Sequence, residues 1–305
     1  MRTKSRLDRL ITEQPNPRSC NLDLKSALAI ARTINAEDAK VAAAVKRVLP
    51  QIACAIDLTA NALRNGGRLI YVGAGTSGRI AALDAAECPP TFNIPSRMVQ
   101  FVIAGGTKAL ASASEADEDS RELSQGEIAK KKPGKKDVVV GVAASGRTPF
   151  TVAAVQYARR HGAKTIAVTC NRDSPLEDAA HLAIVVEVGP EVISGSTRMK
   201  AGTAQKMILN MLSTGVMTRL GYVYGNLMVN VRLKNNKLSE RGLSILQSAS
   251  GISRIMAEQA LKAAGNKVPV ALVMLKAKVD RAAAESALRS ASGHVRRAIA
   301  EARTW

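Results

Sequence analysis

Aromatic side chains are scarce in this sequence, 3% of 305 residues. Core volume must therefore come from Ala, Leu, Ile and Val, a composition suited to close-packed helices and parallel strands. The same scarcity counts against nucleic-acid recognition by base stacking, and neither a glycine-aromatic RNA-binding signature nor a zinc finger is present. No apolar run approaches the roughly 20 residues of a membrane span, and no N-terminal segment joins a basic flank to an unbroken apolar stretch. A cytoplasmic protein is expected. Cys20, Cys54, Cys88 and Cys170 lie far apart with no CxxC pair, and His161, His181 and His294 are isolated, so no disulfide framework or metal site is expected. Acidic residues are also few, 25 against 44 basic ones, for a formal charge of +19. Residues 231–305, with 14 Lys or Arg against 5 Asp or Glu, are the more basic part. Such a balance admits nucleic acid, an anionic surface or a strongly anionic substrate. Without stacking aromatics it reads as a solvated basic face, and nucleic acid is not expected as a partner.

What is present is 46% hydrophobic residues in a chain long enough for one large domain or two unequal ones. Residues 1–66 read as a helical arm: Leu24, Leu28, Ile30 and Ile34, then Val41, Val45, Val48 and Leu49, then Ile52, Ile56, Leu58 and Leu63 are spaced for a buried helical face. Pro50 should end or kink the middle helix, and Gly66-Gly67 should close the last. From residue 67 short apolar runs alternate with helical patterns, with strands at 68–72, 98–103, 137–142, 164–169 and 182–186. That order predicts an α/β fold with a doubly wound, mainly parallel five-stranded sheet over 67–222. A connector and a small C-terminal helical domain follow over 223–305, the boundary falling between about 222 and 240. Lys130–Lys136, with Pro133-Gly134, reads as a solvated connector, and the methionines at 199, 207, 211, 217 and 228 as core filler.

Three strand-following loops share a small-residue and hydroxyl composition: Gly73–Arg79, Ala143–Thr148 before Pro149, and Ile193–Arg198. Glycines let backbone N–H groups approach phosphate oxygens, a helix N-terminus adds positive partial charge, and hydroxyls complete the donor set. One such loop alone could be a helix cap or a turn. Three at the carboxyl edge of one sheet predict a phosphosugar seat, with Gly75, Thr76, Ser77, Ser145, Gly146, Thr148 and Ser196 as ligands. Arg198, Lys200 and Lys206 invite a role beside the phosphate or a carboxylate, and Lys237, in Lys234-Asn235-Asn236-Lys237-Leu238, could reach a neighbouring site.

Glu87 should close a helix, because Pro89-Pro90 disfavours its continuation. A carboxyl at that end meets the negative pole of the helix dipole and is favoured in its protonated form, as a proton donor would be. A second carboxyl must come from Glu115–Glu122, the densest acidic cluster. Glu115, Glu118 and Glu122 would share a helix face, and spacing does not choose among them.

Ser77 and Ser145-Gly146-x-Thr148 resemble the sugar isomerase (SIS) fold, and the resemblance makes Ser77, Ser145 and Thr148 phosphate ligands. Ala143 stands where some of those relatives carry another Ser, which removes one hydroxyl donor. The chain is similar over most of its length to the N-acetylmuramic acid 6-phosphate etherase family. The similarity rests on Leu10-Ile11-Thr12-Glu13 with Asn16, on Gly73–Arg79 leading to Asp84-Ala85-Ala86-Glu87-Cys88-Pro89-Pro90-Thr91, and on Glu118-Asp119-Ser120-Arg121-Glu122. It continues through 137–148, 196–206 (Arg198-Met199-Lys200-Ala201-Gly202-Thr203 above all) and Gly225–Val229.

The resemblance implies a lyase that cleaves the D-lactyl ether at C3 of the sugar by elimination and hydration. The products would be N-acetylglucosamine 6-phosphate and D-lactate, in cell-wall sugar recycling. It chooses Glu118 as the acid/base that takes the C2 proton and Glu87 as the proton donor; Lys200 joins Ser196 among the expected substrate contacts. It further implies a homodimer with no metal and no nucleotide cofactor. An aldose-ketose phosphosugar isomerase would need a base but no acid at C3. A phosphosugar-sensing repressor would want a helix-turn-helix ahead of the sheet, and residues 1–66 show no such unit.

Overall fold

The structure is a computed structural model that describes residues 10–112, 115–233 and 236–304, with Glu115 described by its backbone alone. The side chain of Glu115 and residues Lys234 and Asn235 thus lie outside the described residues. Contacts divide the chain into two compact units: one runs through Ala86 and again over Arg97–Ser213, the other comprises Glu87–Ser96 and the chain from Thr214.

The first unit opens with a 3₁₀ turn over Ile11–Glu13 and with helices α1 (Ala27–Asp38), α2 (Val41–Lys46) and α3 (Leu49–Arg64). Helix α3 buries Ile52, Ala55, Thr59, Ala60 and Leu63, a single face at helical spacing. Pro50 is the second residue of this helix, where its missing N–H has no intrahelical acceptor to lose, and α2 ends at Lys46, so the break expected at Pro50 falls between the two helices. Leu24 and Leu28 do not join a buried face: they are 80% and 59% exposed. Helical periodicity shows which side chains align but not what covers them.

There follow β1 (Leu69–Gly73), α4 (Gly75–Phe92), β2 (Val99–Ile103), α5 (Glu115–Glu118), α6 (Arg121–Lys130), β3 (Val138–Val142), α7 (Pro149–Arg160), β4 (Lys164–Thr169), α8 (Pro175–Ala179), β5 (Leu182–Val185) and α9 (Lys200–Arg219). All five strands are parallel, in the order β2-β1-β3-β4-β5. Every residue of β1 and β3 is buried, as a central parallel strand requires. Ile70, Val72, Val139, Phe150, Ala154 and Ala158 form a fully enclosed core on one face, where each large side chain stabilises by about 1.5–3 kcal/mol.

The second unit holds α10 (Asn236–Ser250), α11 (Arg254–Ala263), α12 (Val268–Ala277), α13 (Arg281–Ser290) and α14 (Val295–Ala302). Their inward stripes meet in a core of Leu246, Ala257, Val268, Leu272, Ala287 and Val295. Ser253 and Asp280 cap α11 and α13 by accepting from Met256 N–H and Ala283 N–H. Among the described residues no helix is long and apolar enough to cross a membrane.

Candidate active site

The strand order reverses direction between β1 and β3, since the chain leaves β1 towards β2 on one side and returns to β3 on the other. Open α/β sheets bind ligands in the crevice this reversal leaves beyond the strand ends. The register runs from Leu69↔Val138 to Gly73↔Val142, so the turns leaving β1 and β3 start side by side. Those turns are the first and second hydroxyl loops.

The first loop is shorter than its composition predicts. Helix α4 begins at Gly75, so Thr76, Ser77 and Gly78 belong to its first turn. The amides of a first turn have no intrahelical acceptor, which keeps the Thr76 and Ser77 N–H groups and both partly exposed hydroxyls at the strand end. Gly75 has a left-handed φ of +51°, and a Cβ built there would lie 2.8 Å from Glu118 Oε1. The Glu118 carboxylate therefore rests directly on this turn. Arg79 steadies the approach to α5: its Nε donates to Ala109 O at 2.9 Å and its guanidinium to Ser112 O at 2.8 Å.

In the second loop Ser145 Oγ accepts from Arg147 N–H at 3.2 Å, and Gly146 turns the chain at φ +67°. A Cβ at 146 would come within 2.4 Å of Ser174 Oγ. Thr148 occupies the N-cap position of α7, but its hydroxyl makes no cap hydrogen bond, and Pro149 is the first helical residue. The partly exposed hydroxyls of Ser145 and Thr148 and the N-terminal amides of α7 thus share one end of the sheet, the arrangement that binds anions.

The third loop carries Ser196, partly exposed, just after Gly195 at φ +77°. Lys200 departs from its predicted role. Its side chain is 1% exposed and its Nζ lies 2.7 Å from Glu37 Oε2, itself 2% exposed. The ammonium is enclosed in an ion pair with α1 and is not presented to a ligand. Lys200 looks like a substrate cation in the sequence because its carboxylate partner comes from 163 residues earlier. Burial acts to raise the Glu37 carboxyl, but hydrogen bonds from Lys200, Lys40 and Asn16 outweigh it and hold the group at about 2. Fully buried Glu191 completes this junction, accepting from Lys200 N–H at 3.0 Å and Ala201 N–H at 2.9 Å at the start of α9. Arg198, Lys206 and Lys237 are exposed.

Glu87 does not close a helix. Helix α4 runs through Pro89 and Pro90 to Phe92. The prolines remove two backbone donors, but only the final turn follows them, and buried Cys88 and Phe92, four residues apart, fix that turn on one face. Glu87 is exposed beside exposed Leu83 and Ala86, and with a further turn of helix after it the side chain does not stand at the helix terminus. One turn earlier, Asp84 is 5% exposed and accepts from Tyr71 OH at 2.8 Å, Asn210 Nδ2 at 2.7 Å and Ser213 Oγ at 3.0 Å. Burial pushes its carboxyl up and the three donors oppose that. Asp84 thereby locks the rotation of α4 against β1 and α9, an anchor that sequence reasoning missed.

Nor do Glu115, Glu118 and Glu122 share a helix face. Helix α5 stops at Glu118, and Ser120, accepting from Leu123 N–H at 3.1 Å, caps the separate helix α6. Glu122 is exposed on that second helix. The Ser-Arg-Glu string was the available signal, since a cap residue within an acidic cluster restarts the helical period.

Residues 51–159 match the family model of the glucokinase regulatory protein N-terminal SIS domain, and residues 130–215 match the SIS domain. The chain aligns with the solved structure of a Bacteroides fragilis protein assigned as a phosphosugar isomerase involved in capsule formation. That alignment covers 65% of this chain and 94% of that one at 23% identity, with a TM-score of 0.50, a likeness of fold. Two curated relatives are nearer. One is an N-acetylmuramic acid 6-phosphate etherase of Vibrio vulnificus, 48% identical over 96% of this chain and 98% of its own. The other, of the same name, is from Yersinia pestis, 50% identical over 96% and 99%. With about half of its residues shared along nearly the whole length of both relatives, the chain belongs to the N-acetylmuramic acid 6-phosphate etherase family.

Proposed function

We propose that this protein is a carbon–oxygen lyase that cleaves the D-lactyl ether of N-acetylmuramic acid 6-phosphate, giving N-acetylglucosamine 6-phosphate and D-lactate in cytoplasmic recycling of cell-wall sugar. The observation that carries the reading is the Glu118 carboxylate seated on Gly75, in the turn that leaves β1 beside the second hydroxyl loop. An anion seat and a base at one sheet edge are two of the three things this reaction needs, and the third is an acid at C3.

In the open-chain sugar the C1 aldehyde acidifies the C2 proton. Glu118 takes that proton, the C3–O bond breaks, and a C2=C3 double bond conjugated to the aldehyde forms. The ether oxygen leaves as the hydroxyl of D-lactate after accepting a proton from Glu87. Water then adds at C3 and a proton returns to C2, so each carboxyl ends in its starting state. Thr76, Ser77, Ser145, Thr148 and Ser196, with the N–H groups around Gly75 and Gly146, hold the phosphate and the sugar.

Helix α4 rises about 1.5 Å per residue, so Glu87, ten residues after Ser77, stands about 15 Å further along its axis. A homodimer in which a second copy supplies the acid accommodates that span. Glu87 is exposed on a face shared with Leu83, which is 57% exposed, and such a face suits a subunit contact. Exposed Leu24 and Leu28, in the helical arm, would suit a second contact surface.

The test is incubation of purified protein with N-acetylmuramic acid 6-phosphate and assay of D-lactate. Stoichiometric lactate is expected. Protein that interconverts an aldose and a ketose phosphate but leaves the ether intact would instead be an isomerase.

A further inference from the structure

The string Leu10-Ile11-Thr12-Glu13 has no part in the chemistry above, yet it is tied to two of the three hydroxyl loops. Ile11 N–H donates to Asn171 Oδ1 at 2.8 Å. Asn171, two residues after β4, is 2% exposed and uses its amide nitrogen twice: towards Thr12 Oγ1 at 3.2 Å and towards Ala144 O, next to Ser145, at 2.9 Å. Thr12 is fully buried. Its carbonyl accepts from Gly195 N–H at 3.1 Å, and the Glu13 carbonyl accepts from Ser194 Oγ at 2.6 Å, both just before Ser196. The Glu13 carboxylate also covers Gly195, where a Cβ would come 2.8 Å from Oε2. One buried amide and one short strap thus join the loop of Ser145 to the loop of Ser196.

We infer that Thr12 and Asn171 are positioning residues of the phosphosugar site: through Leu10–Glu13 they fix the second and third hydroxyl loops to one another, and so set the donor spacing that a sugar phosphate meets. The inference rests on the reading of those loops as the phosphosugar seat. Donor sets of this kind need placement to within about half an ångström, which loops from different strands reach only when something outside them holds the interval. Asn171 suits this because its two ends are chemically distinct. An aspartate of the same shape would turn a carboxylate oxygen on the Ala144 carbonyl in place of a donor.

The experiment measures steady-state kinetics with N-acetylmuramic acid 6-phosphate and calorimetric binding of N-acetylglucosamine 6-phosphate on the full chain. The variants are Thr12→Val, Thr12→Ser, Asn171→Asp and Ser194→Ala. Thr12→Val and Asn171→Asp should raise KM and the product Kd at least about tenfold while kcat stays within about threefold. Thr12→Ser, which keeps the acceptor oxygen, should recover most of the affinity. Ser194→Ala removes only an exposed hydroxyl, so it keeps the test open should a buried variant fail to fold; about a threefold rise in KM is expected of it. Folded Thr12→Val or Asn171→Asp protein that binds as wild type does, serine losing as much as valine, or an unchanged KM in Ser194→Ala would overturn the inference and leave the lyase reading standing. Wild-type protein that neither releases lactate nor binds the product would remove the lyase reading itself.

Discussion

At the residue scale the account turns on close approach. Glu118 reaches the β1 turn because position 75 has no Cβ and tolerates a left-handed φ. Gly75→Ala should therefore push the carboxylate away, lowering kcat about 100-fold, the usual cost of an ångström of misplacement, with a stability loss of about 1 kcal/mol. Turnover and thermal melting check both. Gly126, inside α6 with open space where its Cβ would go, is the contrasting case. Gly126→Ala should raise stability by about 0.5–1 kcal/mol with turnover unchanged. Serines and threonines beside glycines at strand ends were legible in the sequence, because their physics is local. Asp84, Asn171 and the true partner of Lys200 were not, because each is defined by a side chain distant in the chain.

At the scale of elements, the strand-helix alternation and the five parallel strands follow from short apolar runs bounded by turns, and these were readable in advance. The boundaries that failed were those where two local rules compete. Pro89 and Pro90 weaken α4, but burial of Cys88 and Phe92 carries it on. Acidic spacing suggests one helix over 115–122, but the Ser120 cap divides it. Between α1 and α9 the buried Glu37–Lys200 pair makes a measurable prediction. The Glu37 carboxyl is held below its ordinary value of 4.5, at about 2, so its ionised form is favoured by folding. Its contribution is complete above about pH 4.5 and is lost as pH falls towards 2. Glu37→Gln should flatten that acid transition in melting curves. It should also destabilise the protein at neutral pH by about 3–5 kcal/mol, because the Lys200 charge would remain buried without its partner.

At the scale of the whole molecule, the proposed reaction draws its phosphate seat and base from the sheet edge and its acid from another copy. Light scattering should find a dimer. Glu87→Gln and Glu118→Gln, each inactive alone, should recover up to about a quarter of wild-type activity when unfolded and refolded together, since a mixed dimer retains one intact site and half of the dimers are mixed. Absence of recovery would return both carboxyls to one chain. The central claim, that a carboxyl at the first hydroxyl loop removes the C2 proton, is tested most directly by running the reaction in D₂O and examining C2 of the N-acetylglucosamine 6-phosphate. Wild-type protein should place one deuterium there, and Glu118→Gln should neither release lactate nor exchange C2 of the remaining substrate. Product that keeps its original C2 hydrogen, or exchange undiminished in Glu118→Gln, would contradict the account.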